Sequence, residues 1–261
     1  TLARANLVLG RGGTVHVGAG TFAEGFSLYG SGARFLGAGR DKTVIKINGG
    51  AGITIGGHDA RVEGMTIDGA SYGFKLTAVG GYAVTNVTVR DCTVRNCSTG
   101  WYIQQDNLNN GIFTNYVTQC VFSNCTTYAL HWQGIHNGSY RRGNLLADRS
   151  LFVRNKQAYY SDCQPAGDDR NRHTFVNCTV VSNTAAGFST WTNLRLDLYN
   201  CMVVDNGTKN AGSGSGSPIY INNSLVNAMI AAGGGCISTR SDTNFPGFAA
   251  LKLNMRPGRK W

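Results

Sequence analysis

The densest charge in this 261-residue chain falls in two glycine-containing stretches, IHNGSYRRGN (135–144) and PAGDDRNRH (165–173). Arginine guanidinium groups bind carboxylates through paired, charge-assisted hydrogen bonds. We therefore predict a binding site for an anionic ligand, whose basic residues are His136, Arg141, Arg142, Arg170 and Arg172. The carboxylates Asp168 and Asp169 belong to the same surface, where they are either solvated or paired with Arg170.

A second set of candidate residues comes from four short segments: STGWYIQQ (98–105), TYALHWQG (127–134), QAYYSDC (157–163) and AAGFSTW (185–191). Aligned as strands, they place at one inward position Tyr102, Leu130, Tyr160 and Phe188. Because side chains alternate along a strand, the outward residues are predicted to be Trp101, Ile103, His131, Gln133, Tyr159, Ser161, Ser189 and Trp191. Exposed aromatic rings suit the flat faces of sugars, so Trp101, Gln133 and Trp191 are predicted ligand contacts. The open alternative is an oligomer surface.

These groups suggest acid–base chemistry on a uronate. In β-elimination a base removes the proton at C5 while a cation or metal neutralises the carboxylate. The candidate bases are His131, Tyr159 and Lys156, and Arg170 is the candidate catalytic cation. Hydrolysis needs carboxylates that converge on the scissile bond, and the adjacent pair Asp168 and Asp169 would face opposite ways on a strand. Hydrolysis is therefore disfavoured.

The elements that position these residues are repeats. Seven copies of one pattern follow each other: VEGMTIDG (62–69), VRDCTVRN (89–96), VTQCVFSN (117–124), ADRSLFVRN (147–155), FVNCTVVSN (175–183), LYNCMVVDN (198–206) and YINNSLVNA (220–228). We take as equivalent Gly64, Cys92, Cys120, Ser150, Cys178, Cys201 and Asn223. The spacing of 22 to 30 residues fits one coil of a solenoid of strands.

Stacked coils explain the cysteines. Equivalent inward residues of successive coils lie about 4.8 Å apart, and cysteine packs there as a small apolar residue. One ladder is predicted to run through Cys92, Cys120, Cys178 and Cys201, interrupted by Ser150, and a second to begin at Cys97 and Cys125. Bend positions with left-handed backbone geometry are assigned to Asn96, Asn124, Asn155, Asn183 and Asn206. No cysteine pair has the CxxC spacing of zinc sites.

The first coils carry the runs TVHVGAGTF, ARFLGAGRDKTVIKI and ARVEGMTIDG, followed by the VxNCxVxxN coils. Over residues 10–230 this order resembles the pectate-lyase-like right-handed parallel β-helix superfamily. The resemblance implies an all-β fold, a single-stranded right-handed parallel β-helix. The expected single domain, residues 1–261, comprises N-terminal coils (1–61), regular coils (62–228) and a C-terminal cap (229–261).

The superfamily includes lyases, hydrolases, epimerases, tailspikes and non-catalytic surface proteins, so the resemblance leaves the activity open. This sequence shows neither the carboxylate set of polygalacturonases nor the arginine motif of pectate lyases. No metal site and no cofactor are predicted, because the dense aspartate cluster that would hold Ca²⁺ is not found, although calcium remains compatible with the resemblance.

The charge and composition of the chain restrict the kinds of binding partner. The formal charge of +10 and the pI near 9.4 favour an acidic partner, here an acidic polysaccharide. No polybasic run is found, which disfavours nucleic acid, and no apolar stretch of about 18 residues predicts a membrane span. The chain opens at Thr1 without a leader-like segment, so a targeting peptide was removed or was never part of the sequence. We expect a secreted, cell-surface or virion protein that binds a polysaccharide, with lyase activity on an acidic glycan as its candidate reaction. The alternative is a non-catalytic structural or adhesive module forming a homo-oligomer or fibre.

Overall fold

The computed structural model describes positions 2 and 4 and residues 12–77, 84–105, 112–134, 142–162, 171–190, 194–213, 219–226, 229–231 and 237–240. The strands, in chain order, are β1 (Thr14–Val17), β2 (Gly20–Phe22), β3 (Phe26–Leu28), β4 (Arg34–Gly37), β5 (Thr43–Lys46), β6 (Ala51–Ile55), β7 (Arg61–Glu63), β8 (Thr66–Asp68), β9 (Tyr72–Thr77), β10 (Thr88–Arg90), β11 (Thr93–Arg95), β12 (Thr99–Gln105), β13 (Ile112–Thr118), β14 (Val121–Ser123), β15 (Tyr128–Gly134), β16 (Arg142–Asp148), β17 (Leu151–Val153), β18 (Gln157–Ser161), β19 (Asn171–Val176), β20 (Thr179–Val181), β21 (Ala186–Thr190), β22 (Leu194–Tyr199), β23 (Met202–Val204), β24 (Lys209–Ser213), β25 (Ile219–Asn222), β26 (Leu225–Val226), β27 (Met229–Ala231) and β28 (Ile237–Arg240).

Three consecutive strands make one coil, and each strand pairs in parallel with its equivalent three strands further on. Within the described residues this gives three sheets. Sheet A has 10 strands, from β1 to β28, sheet B has 9, from β2 to β26, and sheet C has 9, from β3 to β27. The predicted all-β solenoid is confirmed. No helix in the described part of the chain is long and apolar enough to cross a membrane.

The core is a column of side chains enclosed by the three sheets. Sheet A contributes one inward row that includes Val62, Val89, Val117, Ala147 and Phe175, all fully buried. Sheets B and C add matching rows of aliphatic and aromatic residues. Full burial of one such aliphatic or aromatic side chain stabilises the fold by about 1.5–3 kcal/mol, so every coil contributes to a continuous core.

The bend between sheets A and B places one residue per coil in the left-handed region. Its φ values lie between 46° and 69° at Gly64, Asp91, Gln119, Arg149, Asn177, Asn200 and Asn223. The next residue points inward, which confirms the ladder of Cys92, Cys120, Cys178 and Cys201 with Ser150 inserted. The assignment of Gly64 and Asn223 to that ladder is wrong by one residue. Met65 and Ser224 are the equivalent positions, and glycine or asparagine at the preceding position tolerates the positive φ.

The bend between sheets B and C repeats this arrangement. Asn96 and Asn124, as predicted, adopt positive φ and face outward. The same prediction is wrong for Asn155, Asn183 and Asn206, because in those coils the positive φ falls on the preceding residue. These three asparagines are buried and continue the ladder that begins at Cys97 and Cys125.

The buried asparagines form a hydrogen-bonded ladder. Asn155 Nδ2 donates to Asn183 Oδ1 at 2.9 Å, and Asn183 Nδ2 donates to Asn206 Oδ1 at 2.6 Å. The same amide groups also donate to backbone carbonyls, including Phe152 O and Val180 O. Six buried cysteines of the ladders are free thiols, and burial raises the pKa of Cys97 to about 11, so it stays protonated at neutral pH.

The sheets continue into the region predicted as a C-terminal cap. Strands β27 and β28 pair in register with β24 and β25, so residues 229–231 and 237–240 extend the solenoid. The remainder of the predicted cap, residues 241–261, lies outside the described residues.

Candidate functional site

The outer face of sheet C carries one tyrosine on each of four consecutive coils. We call this set the tyrosine track: Tyr72 on β9, Tyr102 on β12, Tyr128 on β15 and Tyr160 on β18. One outward register position holds Tyr72, Thr99, Tyr128 and Gln157. The next outward position holds Lys75, Tyr102, His131 and Tyr160. The tyrosines therefore alternate between two positions from coil to coil.

The outward orientation predicted for Trp101, Ile103, Tyr159 and Ser161 is wrong. All four are buried, and Trp101, Leu130, Tyr159 and Phe188 form the inward row of sheet C. Trp101 lies four residues after its ladder residue Cys97, whereas Leu130 lies five residues after Cys125. A one-residue difference reverses the face of every following side chain, so Tyr102 and Tyr160 face outward instead of inward.

The rings of the track contact each other and His131. Tyr128 and Tyr160 stack with centroids 4.8 Å apart and planes within 10°, and Tyr72 lies 5.2 Å from Tyr102. The His131 ring lies 4.7 Å from Tyr128 and 5.2 Å from Tyr102. The five rings therefore form one continuous surface of aromatic groups that runs along the axis of the solenoid.

A cavity of about 430 Å³ opens between the coils of β9 and β15. Its lining combines aromatic rings with small hydroxyl groups: Ser71, Tyr72, Ser98, Thr99, Tyr102, Thr127, Tyr128, His131 and Gln133. Thr99, the small residue between Tyr72 and Tyr128 in the register, leaves the space that the two rings enclose. The cavity therefore offers both apolar ring surface and hydrogen-bonding groups to a ligand.

His131 and Asp162 are the acid–base groups of this face. Asp162 follows β18 directly, and its N–H donates to Trp132 O at 3.1 Å, which holds the residue beside β15. The carboxylate Oδ2 lies 3.5 Å from His131 Nε2. Within the described residues, His131 Nε2 and Asp162 Oδ1 are both buried without a hydrogen bond. A carboxylate at this distance restricts the orientation of the imidazole ring.

The tyrosine hydroxyls are donors at neutral pH. Burial, with the nearby negative charge of Asp162, raises the pKa of Tyr128 and of Tyr160 above the usual value. Tyr102 donates its hydroxyl hydrogen to Gln133 Oε1, which fixes both side chains at the cavity wall. Tyr128 and Tyr160 therefore offer neutral O–H groups rather than phenolate bases.

The structure brings together two of the predicted site residues, His131 and Gln133, which both line the cavity. Lys156 is exposed at the bend before β18 and is absent from the cavity lining. Arg172 lies on sheet A, where its guanidinium pairs with buried Asp197 and donates to Tyr199 Oη at 3.2 Å. Arg142 begins β16, but its side chain is not described. The remaining predicted residues lie outside the described residues: His136, Arg141, Asp168, Asp169, Arg170 and Trp191.

Tyr159, predicted as a base, belongs to the core. Its hydroxyl shares a hydrogen bond with His173 Nδ1, and His173 Nε2 lies 3.2 Å from Gly143 O. Burial lowers the pKa of His173 to about 3, so this imidazole is neutral at physiological pH. The pair satisfies polar groups inside the solenoid and has no access to the outer face of sheet C.

The sequence-based set of site residues lacks all four tyrosines of the track, Tyr72, Tyr102, Tyr128 and Tyr160, and it also lacks Lys75, Thr99 and Asp162. The sequence feature that could have identified the tyrosines is the number of residues between each second-ladder residue and the next aromatic residue, because this number differs between coils. Among the residues that the structure describes, no group of three histidine, cysteine, aspartate or glutamate side chains is placed to hold a metal ion.

No protein-family model and no curated protein sequence matches this chain. Solved structures do. Pectin methylesterase from Yersinia enterocolitica is 12% identical, with a TM-score of 0.52, 93% of this chain covered and 93% of that chain. Pectin methylesterase from carrot is 13% identical, with a TM-score of 0.50 and coverage of 90% and 80%. The A-module of a mannuronan C-5 epimerase from Azotobacter vinelandii is 15% identical, with a TM-score of 0.44 and coverage of 92% and 93%. The three parallel sheets, together with the likeness to the two pectin methylesterases, show that the chain has a right-handed parallel β-helix fold.

Proposed function

We propose that this protein binds a polysaccharide along the outer face of sheet C. The observation that carries the proposal is the tyrosine track, four tyrosines on four consecutive coils beside a cavity of about 430 Å³. That volume falls in the range of about 300–1,000 Å³ that is typical of ligand sites. The proposal includes a location outside the cell, at a cell surface or on a virion, where such polymers occur.

The lining matches the two kinds of surface on a sugar. Tyr72, Tyr102 and Tyr128 supply apolar ring surface for the C–H face of a pyranose. Hydroxyl and amide groups of Ser98, Thr99 and Gln133 are placed to hydrogen-bond with sugar hydroxyls. Because a bound sugar replaces water at both surfaces, apolar and polar contacts act together.

We propose further that the polysaccharide is acidic. The support is the formal charge of +10 together with the arginines of the stretches 135–144 and 165–173. Lys75 adds a cation at the track itself, with its Nζ 5.5 Å from the centre of the Tyr72 ring. Because exposed charges are screened by salt, this part of the binding energy decreases at high ionic strength.

The proposed chemistry is β-elimination with His131 as the base. Asp162, 3.5 Å from His131 Nε2, would stabilise the imidazolium that forms when the C5 proton is taken. Arg170 is proposed to neutralise the uronate carboxylate, as the sequence predicts. As the C4–C5 double bond forms, the C4–O4 glycosidic bond breaks, and the leaving O4 is proposed to take a proton from the hydroxyl of Tyr128 or Tyr160, which burial and Asp162 keep protonated.

Binding is tested by calorimetric titration with alginate, pectate and glycosaminoglycan oligomers. Replacement of one track residue, Tyr102→Ala, should raise Kd at least about tenfold, equivalent to about 1.4 kcal/mol. The matched control is Tyr116→Ala on the outer face of sheet A, which should leave Kd unchanged. Equal losses in the two variants, or no binding by the wild-type protein, would refute the site.

Elimination is tested by the ultraviolet absorbance of the unsaturated uronate that it produces. His131→Ala should abolish the signal even at oligomer concentrations that saturate binding, and Asp162→Asn should lower the rate by about 10²–10⁴-fold, the range of acid–base catalysis. Binding without any absorbance change on the same oligomers would reject the lyase and leave a binding module.

A non-catalytic structural or adhesive module is the second candidate. It is favoured by partly exposed aliphatic residues on the outer face of sheet B, which are Val121, Leu151, Val153, Val181 and Met202. Apolar rows of this kind are typical of surfaces that associate with a partner. Sedimentation of the wild-type protein and of Leu151→Lys distinguishes the candidates, since only the structural module should form an oligomer that the lysine dissociates.

A further inference from the structure

The tyrosine track repeats every second coil rather than every coil. Tyr72 and Tyr128 share one outward position with Thr99 between them, and Tyr102 and Tyr160 share the next with His131 between them. Coils stack about 4.8 Å apart, so tyrosines at the same position recur about every 9.6 Å. A ligand that contacts all four rings must therefore present equivalent surfaces at a two-coil spacing.

Extended chains of β-1,4-linked pyranoses have this property. Each sugar is turned over relative to its neighbour, so the same face and edge recur at every second sugar. Two sugar units of such a chain are also about as long as two coil spacings. An α-1,4-linked chain of the same sugars curls into a helix, so its faces leave a straight row of rings after a few units.

The polar groups of the track follow the same period. At the first position, Thr99 lies between Tyr72 and Tyr128, and Gln157 follows Tyr128. At the second position, His131 lies between Tyr102 and Tyr160. Thr99 and His131 both line the cavity, so they lie beside the rings that a bound sugar would contact. The Thr99 hydroxyl can donate a hydrogen bond to a sugar hydroxyl or accept one from it. Each ring is thus accompanied by a group that suits the hydroxyl edge of the next sugar.

From this register we infer that the ligand is an extended β-1,4-linked polysaccharide that lies parallel to the solenoid axis, with one sugar per coil. The inference rests on the proposed function and specifies its substrate class. It concerns linkage geometry and not charge, so it applies to neutral chains and to uronate chains alike.

The test compares hexasaccharides that differ in linkage, by calorimetric titration of the whole chain. The neutral pair is cellohexaose (β-1,4) and maltohexaose (α-1,4), and the acidic pair is the β-1,4-linked and the α-1,4-linked glucuronate hexamer. In any pair that binds, we expect the β-1,4 member to bind at least about tenfold more tightly. Affinity should rise with chain length up to about four sugars, because the four tyrosines span three coil spacings, ~14 Å.

Four variants locate the ligand on the track. We expect weaker binding of the β-1,4 hexamer by each of four variants, Tyr72→Ala, Tyr102→Ala, Tyr128→Ala and Tyr160→Ala. A chain of fewer than four sugars cannot contact both end tyrosines, Tyr72 and Tyr160, so its affinity should be insensitive to the end that it does not reach. Tyr29→Ala is the control, because Tyr29 is 54% exposed and lies outside the track. Folding of each variant is verified by circular dichroism.

The outcomes separate the two proposals. Equal or tighter binding of the α-linked member would overturn the linkage inference and leave polysaccharide binding intact. Binding to none of the hexamers would overturn both. Tight β-1,4 binding that is insensitive to all four tyrosine variants would place the ligand elsewhere and also overturn the inference.

Discussion

Two histidines of this protein have the same side chain in opposite surroundings. His131 lies on the outer face of sheet C beside Asp162, with 14% of its side chain exposed. His173 is enclosed in the core between Trp132, Tyr159 and Gly143 O. The difference in solvent contact makes His131 accessible to a ligand, as the proposed function requires, and makes His173 part of the core.

His173 makes the fold sensitive to acid. Its pKa is about 3 when folded and about 6.5 when unfolded, so the unfolded chain binds the additional proton. This contribution is complete above pH 6.5 and is lost as the pH falls from about 6.5 toward 3. Between pH 7 and pH 4.5 we expect a loss of about 2–3 kcal/mol in the free energy of unfolding, measured with urea.

The control for that loss is His173→Gln, which cannot titrate. Its free energy of unfolding should be lower than that of the wild-type protein at pH 7 but should change less between pH 7 and 4.5. An equal pH dependence in the two proteins would show that other groups cause the acid sensitivity.

Asn183 is the centre of the buried asparagine ladder. Asn183→Ala removes the acceptor of the Asn155 amide and a donor to Asn206 Oδ1, which leaves buried polar groups unsatisfied. We expect a loss of about 2–4 kcal/mol in the free energy of unfolding, from thermal or urea denaturation. The control Asn124→Gly, at an exposed bend with φ of 55°, should change stability by less than about 1 kcal/mol, and an equal loss would contradict the ladder.

At the scale of elements, the strands were more predictable than the faces they present. The ladder of Cys92, Cys120, Cys178 and Cys201 could be identified from sequence because the bends on either side of sheet B have constant length. The inward orientation of Trp101 and Tyr159 could not be identified from sequence. It depends on the number of residues between the second ladder and the inward row of sheet C, which differs by one between coils. That difference leaves the repeat pattern unchanged but exchanges the inward and outward side chains of sheet C.

The site was predictable in part for the same reason. His131 and Gln133 have the correct facing because their coil has the longer connection, from Cys125 to Leu130. The Asp162 partner could not be predicted, since it depends on the register between β15 and β18 rather than on any local pattern.

Strand β16 depends on a close approach at its second residue. A Cβ at Gly143 would lie 2.1 Å from Trp132 Cζ2, and Trp132 packs against His173. Gly143→Ala must displace this buried indole, and we expect destabilisation of about 1–3 kcal/mol with a shift in tryptophan fluorescence. Gly50→Ala, where a Cβ meets nothing within 4 Å but φ is 65°, separates backbone strain from crowding. A smaller loss at Gly143 than at Gly50 would contradict the crowding.

At the scale of the whole molecule, each coil contacts only its neighbours, so a coil should be removable in register. Deletion of residues 93–120 removes the 28 residues between equivalent ladder positions and lets β14 pair with β8. We expect a folded protein with one coil fewer, a β-sheet circular dichroism spectrum and a cooperative thermal transition.

The control deletes residues 93–121, one residue more, and therefore turns Phe122 outward. This variant should aggregate or unfold without cooperativity. If both deletions behave alike, register is not what specifies the stacking.

The corner between sheets C and A differs from the other two in one respect. The spacing from a residue of the first ladder to the second-ladder residue that follows it is always five positions, as from Cys120 to Cys125. The spacing from the second ladder to the first-ladder residue of the next coil varies. It takes 25 positions from Cys125 to Ser150 and 18 from Asn183 to Cys201. Sequence can therefore be lengthened, shortened or exchanged at this corner while both packed bends are conserved. The protein is in this sense a scaffold for loop grafting, in which new recognition surfaces can be introduced coil by coil without redesign of the interior.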